Sequence, residues 1–229
     1  MSVSIVVDVI SDVVCPWCFI GMKRLESAIA LADGVDVHMR WRPYQLDPNI
    51  PKEGLPRRQY MLDKFGSEAR LREIHTQIVS LGEVEGIRFN FDAMQTAANT
   101  LDAHRLIRWA GSPKSPDGAQ NQVVRHLFES NFEQGRDIGD HAVLVEIAEE
   151  AGMDPALVGV LLSSPSDVES VRNEIATAGQ MGVRGVPCFL IEGKYAVMGA
   201  QDAEVLADAI KQVAGAKARG ELESNEPQA

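Results

Sequence analysis

Cys15 and Cys18 stand two residues apart, with Pro16 and Trp17 between them, in a 229-residue chain that holds only three cysteines. Two thiols at this spacing on the first turn of a helix emerge close enough together to close a disulfide without large backbone movement. A helix N-terminus also offers unpaired N–H groups and the positive end of the macrodipole, which favour a thiolate at Cys15. Cys15 is then the nucleophile that attacks a substrate disulfide, and Cys18 resolves the mixed disulfide from one turn further along. Run in reverse, the pair donates a disulfide to a dithiol. Pro16 suits a first helical position, where the missing N–H costs nothing, and Trp17 reads as a surface platform. Zinc is not expected, because a structural site needs about four ligands and the chain offers one further cysteine and five scattered histidines.

A second signal lies far along the chain at Val186-Pro187, where a proline opens a strand and forfeits a ladder hydrogen bond. A cis peptide would give it a positional reason. Cys188 follows at once and, by strand alternation, points into the core as a small hydrophobe. Asp8 and Asp12 are weaker candidates, as acids that could move a proton to or from Cys18. Arg40 and Arg42 share the polar side of one strand, and His38, His75, His104, His126 and His141 show no ligand spacing.

The elements that must position these residues follow from periodicity. Val3 to Ile10 is a short β-branched run suited to a buried strand, and Met22, Leu25, Ile29 and Ala32 form the stripe of an amphipathic helix behind the cysteines. Val35, Val37, Met39 and Trp41 alternate with polar residues as a second strand, so residues up to Arg42 make a βαβ unit with the cysteines at its first junction. Helical spacing recurs over 67–82, 95–110, 118–134 and 141–152, with no β-rich stretch between. A helix at 166–181 leads to Val186-Pro187, to two strands joined at Glu192-Gly193-Lys194, and to a last helix from Asp202 to Val213. The expected fold class is α/β with a large all-helical insertion. Its domains are 1–50 with 166–215, a helical insertion at 51–165, and a flexible tail at 216–229.

Composition narrows the function further. With 45% hydrophobic and 24% charged residues the chain has the balance of a globular protein. A net charge of −11 repels nucleic acid and anionic membrane surfaces as partners. No basic, apolar leader and no run of about 20 apolar residues is visible, so the expected location is the cytoplasm, where structural disulfides are rare.

Ser11-Asp12-Val13-Val14-Cys15-Pro16-Trp17-Cys18-Phe19-Ile20-Gly21, the late Gly185-Val186-Pro187 and Gly199-Ala200-Gln201 together resemble the FrnE-like branch of the DsbA family. So do Leu101-Asp102-Ala103-His104-Arg105-Leu106 and Glu133-Gln134-Gly135-Arg136-Asp137-Ile138, in the helical insertion. The resemblance spans nearly the whole chain and is specific by combination. It implies a thioredoxin-like fold interrupted by helices and disulfide exchange as the activity, with no cofactor beyond the redox disulfide. It also implies a substrate surface built from Pro16, Trp17, Val186 and Pro187, where a cis-proline loop leaves the Val186 backbone free to pair with an extended substrate. Glutathione is a candidate co-substrate, the expected partners are protein or small-molecule thiols and disulfides, and an insertion of this size could support a homodimer.

The alternatives are a glutathione-dependent isomerase of the 2-hydroxychromene-2-carboxylate type, whose members usually carry serine at the Cys15 position, and a non-catalytic peptide-binding holdase. The direction of exchange, as reductase, oxidase or isomerase, is not encoded in Pro16-Trp17.

Overall fold

The computed structural model describes residues 3–222. Strand β1 (Val3–Ser11) is buried on both faces over most of its length, as its β-branched run requires. It leads into α1 (Pro16–Leu31), which returns the chain to β2 (Val35–Pro43), parallel to β1 and in register from Val3↔Val35 to Ser11↔Pro43. Next come β3 (Leu55–Pro56), α2 (Arg57–Phe65), α3 (Glu68–Val84) and β4 (Thr96–Ala97), with β3 and β4 forming a two-residue antiparallel ladder. Helices α4 (Leu101–Ala110), α5 (Ala119–Phe132), α6 (His141–Glu150), α7 (Pro155–Leu162) and α8 (Val168–Gln180) follow. The chain then re-enters the main sheet through β5 (Cys188–Ile191) and β6 (Tyr195–Met198) and closes with α9 (Ala203–Ala218).

The main sheet runs β2-β1-β5-β6, with β5 antiparallel to β1 and β6 antiparallel to β5. Glu192 and Gly193 turn the β5–β6 hairpin with φ of 54° and 68°, the pair of positive values that matches the strand twist. Helices α1 and α9 pack together beside the sheet. One continuous core joins the sheet to the helical segment. Phe19 of α1 stacks on Phe128 of α5 at 5.1 Å and meets Phe89 edge-on at 5.9 Å. Burying an aromatic of this size is worth roughly 1.5–3 kcal/mol, so the helix carrying the cysteines is fixed from both sides.

Three departures from the sequence reading have physical causes. The segment expected to be helical from 95 contains β4, and α4 begins only at Leu101, after Thr100. Helices α2 and α7 were not expected: Arg57-Arg58-Gln59 shows no apolar stripe, whereas α7 is apolar nearly all round. Helix α9 continues to Ala218, so the tail expected from 216 does not begin there. Lys217 anchors that last turn, donating to the Ser4 carbonyl at 2.9 Å and pairing with Glu192 at 2.8 Å. The rest of the expected tail, 223–229, lies outside the described residues. Among the described residues no helix is long and apolar enough to cross a membrane.

Candidate active site

Beyond Ser11 the chain leaves the sheet, and the Cys15 N–H donates to the Asp12 carbonyl at 3.0 Å, closing the turn that delivers α1. Cys15 is the N-cap of that helix in an extended conformation, and its carbonyl accepts the N–H groups of Cys18 at 3.0 Å and Phe19 at 3.4 Å. Pro16 occupies the first helical position. Both thiols are free, and the side chains of Cys15 and Cys18 lie within hydrogen-bonding reach of one another.

The Val186–Pro187 peptide is cis, and its loop lies directly over the head of α1. The Cys15 thiol donates to the Val186 carbonyl across 3.8 Å, a contact between residues 171 positions apart. Pro187 packs on Gly21, two residues beyond Phe19 on α1, and its carbonyl accepts the Gly199 N–H at 2.8 Å. Trp17 is 40% exposed at the edge of the site. The structure thus gathers Cys15, Pro16, Trp17, Cys18, Val186 and Pro187 at one place.

The two thiols sit in different surroundings. Burial pushes the Cys18 thiol well above the ordinary thiol range, and contact with Cys15 pushes it further. The Ser11 hydroxyl and the Asp12 backbone favour its thiolate but do not offset this. The Ser11 hydroxyl is buried without a hydrogen-bond partner of good geometry. Cys188 faces a separate small cluster with Ile10 and Ala178, and burial raises its thiol too.

Of the acids, Asp8 is engaged elsewhere, accepting from Arg40 at 2.7 and 3.0 Å and from Arg42 at 2.8 Å across the β1–β2 register. Asp12 is fully buried. One of its oxygens accepts the Leu46 N–H at 2.7 Å, and the other lies 3.4 Å from His104 Nε2. That nitrogen is already committed to the Tyr44 carbonyl at 2.8 Å, so the second oxygen receives no hydrogen bond. His38 and His126 lie beside surface carboxylates, and His141 pairs with Asp102 at 2.7 Å.

Cys15 and Trp17 form one wall of a cleft of about 540 Å³, whose far side comes from α2, α3 and the β4 region. The lining is mainly apolar, but Arg57 and His75 also face it. Sequence reasoning gave no role to either: Arg57 heads a helix without an amphipathic signature, and His75 had no partner at helical spacing. Phe91 organises them, with the His75 ring stacked on it at 4.1 Å and the Arg57 guanidinium 5.6 Å from its centroid.

A sheet with this strand order, broken by helices after its second strand and carrying paired thiols at the head of its first helix, is the thioredoxin type in its DsbA form. The chain belongs to the family of DSBA-like thioredoxin domains, whose model matches residues 6–211. It is similar to the crystal structure of SCO1869 from Streptomyces coelicolor, a probable DsbA oxidoreductase. That likeness has 30% identity and a TM-score of 0.81, covering 98% of this chain and 93% of the other. The uncharacterized protein YwbO of Bacillus subtilis (strain 168) is 28% identical over 89% of this chain and 94% of its own length. The fold is shared with a 2-hydroxychromene-2-carboxylate isomerase at 17% identity, a TM-score of 0.68 and coverage of 96% and 100%.

Proposed function

We propose that this member of the family is a thiol-disulfide oxidoreductase working through Cys15 and Cys18, with Pro16, Trp17, Val186 and Pro187 forming its substrate surface. The observation that carries this reading is the asymmetry of the pair: Cys15 faces the cleft against the Val186 carbonyl, while burial holds Cys18 as a thiol. In the reducing direction the Cys15 thiolate attacks one sulfur of a substrate disulfide, breaking the S–S bond and releasing one thiolate, which takes a proton from solvent. Cys18 then loses its proton, attacks the Cys15 sulfur and releases the second thiolate. Two electrons pass from the dithiol to the substrate, and a Cys15–Cys18 disulfide forms. The oxidising direction is the same sequence reversed. Thiols and disulfides of proteins or small molecules are the proposed partners, glutathione is a candidate for recycling the pair, and the cytoplasm is the proposed location.

The test is the capture of the intermediate. Cys18→Ser should accumulate a mixed disulfide at Cys15, visible as a mass increase that dithiothreitol removes, and Cys15→Ser should form none and lose turnover. Exchange that persists in Cys15→Ser would end this reading. The enclosed cleft also suits a second one, a glutathione-dependent isomerase of the 2-hydroxychromene-2-carboxylate type, which would keep activity in Cys18→Ser and require added glutathione.

A further inference from the structure

Arg57 is nine-tenths buried, yet among the described residues no carboxylate lies within ion-pairing distance of its guanidinium. Asp92 acts on it only from further away, and burial pulls its pKa below the usual guanidinium value. A buried guanidinium is costly unless an anion meets it, and the other buried arginine among the described residues, Arg105, has one, holding Asp102 at 2.7 Å. His75 faces the same cleft, and its Nε2 is buried without a hydrogen-bond partner. The Arg57 guanidinium and His75 Nε2 therefore converge, over the face of Phe91, on a mainly apolar cavity that Lys64, Asp12 and Asp47 also line and that has the Cys15 thiol in its opposite wall. The remainder of the chain works against an anion, with a net charge of −11, so a local cation is needed to admit one.

We propose that this cleft takes a low-molecular-weight disulfide, or its thiol, bearing a carboxylate on an apolar or aromatic skeleton. Arg57 pairs with the carboxylate, His75 Nε2 gives it a second polar contact, and the skeleton lies along Phe91 and Trp17 with its sulfur toward Cys15. This assignment rests on the thiol-disulfide reading above and names its substrate class. A forked guanidinium suits a carboxylate, because it can donate two parallel hydrogen bonds. The bonds made and broken are those of the exchange itself: the Cys15 sulfur joins one half of the bound disulfide, the other half leaves as a thiolate, and the carboxylate is unchanged.

The experiment compares two aromatic disulfides that differ in charge, 5,5′-dithiobis(2-nitrobenzoate), which carries carboxylates, and 4,4′-dithiodipyridine, which carries none. Rates with the reduced protein are read as the ratio of the first to the second. Arg57→Gln should lower that ratio on the order of tenfold or more, the scale of a lost charged hydrogen bond, and Arg57→Lys should recover part of it. In the unaltered protein, the redox-inert 4-nitrobenzoate should slow the carboxylate disulfide competitively, while nitrobenzene at equal concentration should not. A ratio unchanged in Arg57→Gln, together with equal inhibition by the two nitroaromatics, would overturn the proposal without involving a mutant's folding. Binding of 4-nitrobenzoate to Cys15→Ser, followed by tryptophan fluorescence, separates the two readings. Arg57-dependent binding there, with no disulfide exchange by the unaltered protein, would leave the anion subsite standing and remove the redox function.

Discussion

Gly21 and Pro187 touch so closely that a Cβ on residue 21 would lie 2.9 Å from Pro187 Cγ and 3.2 Å from Phe189 Cζ. The absence of a side chain on one helical residue therefore sets how near the cysteine helix comes to the Val186–Pro187 loop. Pro187 cannot yield freely, because its carbonyl is held by the Gly199 N–H. Gly21→Val should cost about 1–3 kcal/mol, the range for overpacking a filled core, and should widen the Cys15–Val186 separation. The expected outcome is a lower denaturation midpoint, with a larger fall in disulfide-exchange rate than in stability. An exchange rate equal to that of the unaltered protein would show that the loop's distance from Cys15 is irrelevant to the chemistry.

Burial of the Cys18 thiol predicts unequal reactivity of the pair. In the reduced protein, alkylation by iodoacetamide should modify Cys15 well before Cys18 at pH 7–8, with peptide mass spectrometry assigning each site. The raised Cys18 value also links to stability. The folded state keeps this proton where the unfolded chain, with a thiol near 8.5, has lost it. The contribution is thus complete below that pH and is lost as pH rises toward the folded value. Melting temperatures of the reduced protein should fall on the alkaline side more steeply than those of the Cys15–Cys18 oxidised form, which has no thiol there to titrate. Parallel alkaline limbs would refute the link.

His75 supplies the acid counterpart. Burial chiefly, and Arg57 next, lower it to about 4, with Asp92 opposing. Its stabilising contribution is complete above the unfolded histidine value near 6.5 and is lost as pH falls through about 4, because the unfolded chain takes the proton first. His75→Phe preserves a ring against Phe91 and should flatten the stability profile between pH 6.5 and 4. An unchanged slope in that window would place the histidine's proton uptake elsewhere.

Arg105 ties the helical segment together from inside. Its guanidinium donates to Asp102 at 2.7 Å and to the carbonyls of Leu161, Ser164 and Ser166 at 2.6–2.7 Å, so it binds α4 to the turn between α7 and α8. Burial would raise the Asp102 carboxyl, but the bonds from Arg105 and His141 hold it below the usual carboxylate range. Arg105→Leu leaves three partly buried carbonyls and a buried carboxylate short of donors and should cost about 3–5 kcal/mol in urea denaturation. A loss below 1 kcal/mol would mean that water replaces the guanidinium.

The residues legible in the sequence were those whose role is local. Cys15, Pro16 and Cys18 declare a helix start by spacing alone, and Val35, Val37, Met39 and Trp41 declare a strand by alternation. Val186-Pro187 could be placed because a proline opening a strand requires a reason. The far wall of the cleft was hidden, since Arg57 and His75 become neighbours only through Phe91, and no period links positions 57, 75 and 91. Helix α7 was missed because its signal is of a different kind, the Asp154-Pro155 start. Asp154 there accepts the N–H groups of Ala156 and Leu157, a cap that apolar periodicity does not register.

The 171-residue separation between Cys15 and Val186 also orders events in time. At about 5–20 residues per second, translation leaves the cysteine helix outside the ribosome for on the order of ten to thirty seconds before the segment that covers it is made. For most of that interval, once residue 43 is made, β1, α1 and β2 are complete, but β1 has a bare edge where β5 will pair, and the nucleophile has no carbonyl facing it. A nascent chain in this state is a βαβ fragment with two unshielded thiols. Cys188 emerges in the same few residues that supply Val186, so the third thiol appears together with the strand that buries it.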